Sequence, residues 1–193
     1  MRELRKVRTP RQAVAVFEEE TERLLTVIMP KIVEHPLPVR STASAKALVA
    51  GAGGMAAAGQ EVEALGVFLS GGATLPPTLP LMLATNLLAL AMEVSVAASL
   101  RVHALRDAGI DPDSDQVAHD VLVAMTGGSD SEVGTGSAVT KGLVKKIVAR
   151  VLARWSKALV PVVGIAYSSW DAQRTVDAIL ACPLPSVPRG VRP

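Results

Sequence analysis

Apolar positions recur at helical spacing from the start of the chain. Val14, Phe17, Leu24, Leu25 and Ile28 line one face, with Glu18, Glu19, Glu20 and Glu22 on the wet side. Thr9-Pro10-Arg11-Gln12 reads as a capping box with proline at the first helical position, so a helix is predicted to open there and to be limited by Pro30. His35-Pro36-Leu37-Pro38 is an extended connector, because a residue that precedes proline avoids the helical region. Residues 41–69 read as a second helical stretch broken at Gly51, Gly53 and Gly54, and Gly71-Gly72 with Leu75-Pro76-Pro77 marks a clear break. The longest helix is expected from about Pro80 to Ala108, with Thr78 as cap and Gly109-Ile110 as a left-handed stop with its hydrophobic partner. Asp111 and Pro112 then cap and open another helix, whose inner face is Val117, Val121, Leu122 and Met125 and whose end is Gly127.

Residues 127–136 read as a flexible loop. Ser137 or Thr140 opens a basic amphipathic helix, the fifth, with Leu143, Ile147, Val151 and Trp155 inward. The apolar segment Ala158–Tyr167 holds Pro161 and Gly164, so a kink or tight helix–helix turn is expected before the chain continues as helix to about Ala181. No internal repeat is evident. The pattern predicts an all-α compact bundle of about six helices around a long apolar central helix. Its organisation is residues 1–40 as an N-terminal helix and connector, 41–181 as a helical core, and 182–193 as a Pro-rich tail expected to be disordered.

Composition sharpens this picture. Hydrophobic residues make up 49% of the 193 positions but aromatics only 3%, so the core is built from Ala, Val and Leu, by close helix packing more than by large rings. Between Ser41 and Leu100 the charges are Lys46, Glu61, Glu63 and Glu93, and residues 64–92 carry none. Leu79–Leu100 is long enough to cross about 30 Å of hydrocarbon at about 1.5 Å per residue. Glu93 near its middle and the absence of Trp or Tyr anchors at its ends favour a buried central helix over a permanent span. Asn86 and Glu93, seven residues apart, share a face. That face meets either a polar seam or solvent, or it forms a buried polar site satisfied by Arg101 or by a cation of the fifth helix.

A net charge of +2 does not by itself imply nucleic-acid binding. The charge is unevenly spread, however: from Val133 to Trp170 no acidic residue occurs, whereas Lys141, Lys145, Lys146, Arg150, Arg154 and Lys157 do. Such a helix lies on anionic lipid or is a plain solvated face paired with the acidic first helix. The basic start of the chain (Arg2, Arg5, Lys6, Arg8, Arg11) adds to the former, and no interleaved aromatic platform points to nucleic acid as a partner. That start runs into Glu18-Glu19-Glu20 and not into an apolar core, so no secretory signal is expected. Cys182, the single cysteine, cannot form an internal disulfide, which fits a reducing compartment or simple indifference to redox.

Three segments in order resemble the EcsC family: GVFLSGGATLPPTLPLMLATNLLALA (66–91), the long helix ending in Gly109-Ile110-Asp111-Pro112, and the Lys157-to-Gly164 segment with its Pro161-x-x-Gly164 motif. The match spans roughly residues 44–181. The chain departs from the family in having Ala108 where an aromatic usually stands, and in lacking an asparagine after Gly164. The resemblance implies an all-helical, membrane-associated domain of bacterial type. The family takes its name from a protein encoded beside ABC-transporter components, and it brings no catalytic residues to carry over. Gly109, Asp111, Pro161 and Gly164 are the structural motif it marks.

Other motifs fail on their own chemistry. Gly51-Ala52-Gly53-Gly54-Met55-Ala56 fits a dinucleotide fingerprint only nominally, with no β-branched strand before it. Asp111, Asp113 and Asp115 start like a calcium loop, but Gln116 replaces the needed glycine and Leu122 the twelfth-position glutamate. His35, His103 and His119 lack metal-ligand spacing, and no serine or cysteine sits in a nucleophile context. No cofactor, metal or catalytic residue is expected. The expectation is a non-enzymatic, cytoplasmic, membrane-associated helical protein, accessory to a membrane transport or envelope system, whose partner is an anionic membrane surface or a membrane protein. The alternatives are a soluble helical scaffold or homo-oligomer, and a small-ligand binder or enzyme with a site near Asn86 and Glu93.

Overall fold

The computed structural model describes residues 10–69, 75–127, 142, 144–151 and 163–185, with side chains over 12, 14–55, 84–127, 142, 144–151 and 166–185. The fold is all-α. Its elements are α1 (Pro10–Arg23), a π-helical turn (Leu24–Ile28), α2 (Met29–Glu34), α3 (Thr42–Leu69), α4 (Leu75–Asp107), α5 (Ser114–Thr126), α6 (144–151) and α7 (Val163–Ala181). No strand occurs among the described residues. The long apolar α4 is central, packed against α1, α2, α3, α5 and α7. Val94, Val96, Ala97, Ala98 and Val102 on α4 are all within 1% of complete burial, and such small side chains let the surrounding helices close in.

The helix opens at Pro10 as expected, while its Thr9 cap lies outside the described residues. Pro30 does not limit it. The chain stays helical to Glu34 because the turn before Pro30 widens to π geometry, with Met29 N–H bonding Leu24 O five residues back. Proline has no N–H and crowds the carbonyl four residues earlier, and the widened turn accommodates both. The extra residue also rotates the succeeding helical turns by about 100°. Met29 and Ile32 therefore take the inner face, and Ile28, expected inside, is exposed.

Other boundaries move for local reasons. α4 starts at Leu75 and not near Pro80, because Pro76 and Pro77 fall in the first turn, where backbone N–H groups have no helical acceptor to lose. α5 is capped by Asp113 and not by Asp111. The Asp113 carboxylate accepts from the N–H groups of Asp115 and Gln116, both at 3.0 Å, and Asp111-Pro112 becomes the exposed lead-in. The end of α4 is as read from sequence: Gly109 has φ +73°, Ile110 N–H bonds Leu105 O at 2.9 Å and Gly109 N–H bonds Arg106 O at 2.9 Å, a Schellman pair. Gly127 likewise ends α5 in the left-handed region, φ +68°. The inner face of α5 is also as expected, with Val117, Val121, Leu122 and Met125 buried.

α3 is unbroken through Gly51, Gly53 and Gly54. Each glycine costs about 1 kcal/mol of helix propensity, and Gly53 shows what offsets it: a Cβ there would lie 3.1 Å from the Ser168 carbonyl oxygen of α7. The two backbones meet at that point, assisted by Ser169 Oγ–H donating to Ala50 O at 3.1 Å and by Lys46 Nζ against Asp177 at 2.6 Å. Gly51 faces open space. Gly51→Ala should therefore stabilise the chain by about 0.5–1 kcal/mol, and Gly53→Val should destabilise it by about 1–3 kcal/mol. Urea unfolding followed by circular dichroism at 222 nm tests both, and equal effects at the two positions would refute the close-approach account.

Candidate functional site

Glu93, near the middle of α4, is 2% exposed and faces Thr175 of α7, which is fully buried and donates its hydroxyl to Glu93 Oε1. Arg150 of α6 enters from the side. Its Nε donates to Asp171 Oδ2 at 2.9 Å, its Nη2 to Asp171 O at 2.8 Å and to Thr175 Oγ1 at 3.2 Å, and Nη2 stands 3.8 Å from Glu93 Oε1. Its Nη1 donates to Met125 O in the last turn of α5. One guanidinium thus joins α4, α5, α6 and α7 and sits against two carboxylates.

Asn86, 7% exposed, lies on the same face of α4 two turns earlier. Both side chains are buried, and the cation that stands against Glu93 is Arg150 of the basic helix, one of the two kinds of partner expected for it. The aligned polar residues Ser168, Asp171 and Thr175 on the buried face of α7 escape sequence reasoning. Their spacing of three and four, interleaved with Ala172, Val176 and Ile179, is the available signal.

Arg101, also 2% exposed, organises a second cluster. Its Nε donates to Asp120 Oδ2 of α5 at 2.7 Å, and Gln116 Nε2 donates to Asp120 Oδ1 at 3.0 Å. Arg101 Nη1 and Nη2 donate to the carbonyls of Cys182 and Pro183 at 3.0 and 2.8 Å. The first residues of the tail are therefore tied to the core, against the expectation of disorder from residue 182; residues 186–193 lie outside the described residues. The second arginine of α4, Arg106, donates to Val33 O in the last turn of α2 at 2.8 Å. Leu37 of the connector is held through both of its main-chain polar groups: its N–H donates to Ser99 Oγ at 3.0 Å and its carbonyl oxygen lies 2.9 Å from His103 Nε2.

The basic stripe is divided by the fold. Lys145 and Lys146 are exposed, whereas Arg150 turns inward, where it donates to Asp171, Thr175 and the Met125 carbonyl and stands against the Glu93 carboxylate. It is therefore not a surface contact. Lys141, Arg154, Lys157 and Pro161 lie outside the described residues, as do Leu143 and Trp155; Ile147 and Val151 face inward as expected, and Gly164 falls in the first turn of α7. No group of His, Cys, Asp and Glu among the described residues is arranged to hold a metal. Around Glu93 the polar atoms bond one another, an arrangement that fixes helix positions.

Compared with models of known protein families, with curated proteins and with solved structures, the chain matches none. The role of these clusters is argued from their own chemistry.

Removing the Arg150 guanidinium leaves Glu93 and Asp171 buried without it, so Arg150→Met should destabilise the fold by about 3–5 kcal/mol, while Lys145→Met should stay within about 0.5 kcal/mol. Equal midpoints of urea unfolding for the two variants would remove Arg150 from its central role.

The Cys182 thiol titrates above its ordinary value, first because burial disfavours the thiolate and then because the Asp120 carboxylate lies close, with Arg101 opposing. The folded pKa exceeds the unfolded one, so stability is undiminished below the unfolded thiol pKa and falls as pH rises through the folded value. Iodoacetamide should label Cys182 with a pH midpoint higher in the folded chain than in the urea-unfolded chain. A folded midpoint at or below the unfolded one would contradict the placement of the thiol beside Asp120.

Proposed function

We propose that this chain is a non-enzymatic helical protein that associates with the cytoplasmic face of a membrane, in the manner the EcsC resemblance implies, as an accessory to a membrane transport or envelope system. One helix, Ala84–Asp107 within α4, is long and apolar enough to cross a membrane. It is 56% buried in its most apolar window and carries Glu93 and Arg101, both engaged inside the fold. That supports peripheral association over a span, since a spanning α4 would have to break both clusters at several kcal/mol each.

The observation that carries the proposal is a pair of large apolar side chains left open on α3 and α4: Met55 on α3 is 70% exposed and Leu88 on α4 is 63% exposed. Ala52 and Ala89 pack together one turn from Met55 and one residue from Leu88, with Met92 against them, so the two open side chains belong to one helix pair. Exposed apolar surface of this kind marks a membrane or protein contact. Lys145 and Lys146 add cations of the sort that contribute about 1 kcal/mol each near an anionic surface.

The same exposed pair would suit a second copy of the chain, the soluble-scaffold reading. Vesicle flotation separates them. The chain should float with phosphatidylglycerol-containing vesicles, float less with pure phosphatidylcholine, and lose most of its flotation in Leu88→Glu. Equal, negligible flotation with both lipids, together with a dimer in analytical ultracentrifugation, would replace the membrane reading with the second.

A further inference from the structure

The outward face of α7 combines aromatic, cationic and aliphatic side chains. Ser168, Asp171, Ala172, Thr175, Val176 and Ile179 form its buried side. The opposite side presents Trp170, Arg174, Asp177 and Leu180, with Trp170 52% and Leu180 45% exposed. The indole of Trp170 is not an isolated apolar group. The Arg174 guanidinium carbon stands 5.0 Å from its ring centroid, and the Tyr167 ring lies 5.8 Å away, tilted by 48°. Stacked this way, an aromatic body carries a cation over its face.

Charge on this face is also one-sided. α7 has two carboxylates: Asp171 is turned inward to Arg150, and Asp177 is held by Lys46 Nζ at 2.6 Å. The outward face therefore offers Arg174 without an opposing free carboxylate.

We infer that this face of α7, with Trp170, Tyr167 and Arg174 at its centre, is where the protein seats on an anionic bilayer, lying in the headgroup plane. Tyrosine and tryptophan rest where one end of the ring is apolar and the other wet, and a guanidinium above the ring pairs with lipid phosphate. Leu180 extends the apolar contact three turns along the helix. The seating runs in the plane of the surface, which leaves Glu93 and Arg101 in the core undisturbed. This inference rests on the membrane reading above and names the residues that would make the contact; that reading needs the open α3–α4 pair but not this face.

The chain has two tryptophans, so a Trp155→Phe background makes Trp170 the reporter. With vesicles of 30% phosphatidylglycerol in phosphatidylcholine, Trp170 emission should shift to the blue and be quenched by lipid brominated near the headgroup end of the acyl chain. Neither change should occur with pure phosphatidylcholine at the same lipid concentration. In the native background, Trp170→Ala and Arg174→Gln should each lower the floated fraction at least fivefold while leaving circular dichroism unchanged. These two variants decide the matter if Trp155→Phe does not fold. A chain that floats with unchanged Trp170 emission and undiminished flotation of both variants would overturn this face and leave the membrane reading standing. A chain that does not float at all would overturn both, and a Trp170-dependent dimer in sedimentation would assign the face to a second copy.

Discussion

Helix C-termini end in carbonyl groups with no partner inside their own helix, and in this fold several of those ends lie against a neighbouring helix that can supply a donor. Arginines from elsewhere in the chain meet them. Arg106 reaches Val33 at the end of α2, Arg150 reaches Met125 at the end of α5, and Arg101 reaches Cys182 and Pro183 beyond α7. A cation at a helix C-terminus is favoured by the helix dipole as well as by the hydrogen bond. Two of the three also hold a carboxylate on a further helix, Asp171 or Asp120, so the same group that closes one helix end fixes the position of another. The bundle has few large side chains to define its geometry; these arginines define it in their place.

This division of labour explains why α4 is both apolar and polar. Its small residues permit close packing, which is non-directional and would tolerate sliding or rotation. Glu93 and Arg101 do not tolerate either: Glu93 accepts from Thr175 of α7 and pairs with the Arg150 guanidinium of α6 at 3.8 Å, and Arg101 donates to Asp120 of α5 and to the carbonyls that follow α7. Polar groups within an otherwise apolar helix thus specify a register that valines and alanines leave open.

Much of the fold was legible in the sequence because its signals are local. The Gly109 stop, the inner face of α5 and the end of α7 are set by residues within a turn or two of the feature. The misread boundaries share a different cause. Pro30 is accommodated by a π turn, Pro76 and Pro77 by a helix start, and Gly53 by a contact with Ser168, over a hundred residues away. Sequence shows the breaker but not its compensation. The polar site was half legible for the same reason. The shared face of Asn86 and Glu93 is a matter of spacing, but that Arg150 leaves the basic stripe to join Glu93 depends on how α6 packs against α4 and α7, which no local pattern states.

The bonds from Arg101 to Cys182 and Pro183 go to main-chain oxygens. Every residue type supplies that acceptor, and a carbonyl does not titrate within the range of stability. Side chains at the two positions can drift freely in evolution while the anchorage persists, provided the chain still passes there in the same course. The course of the chain just after α7 is thus held by a guanidinium that recognises the path of a backbone and is indifferent to the letters written along it.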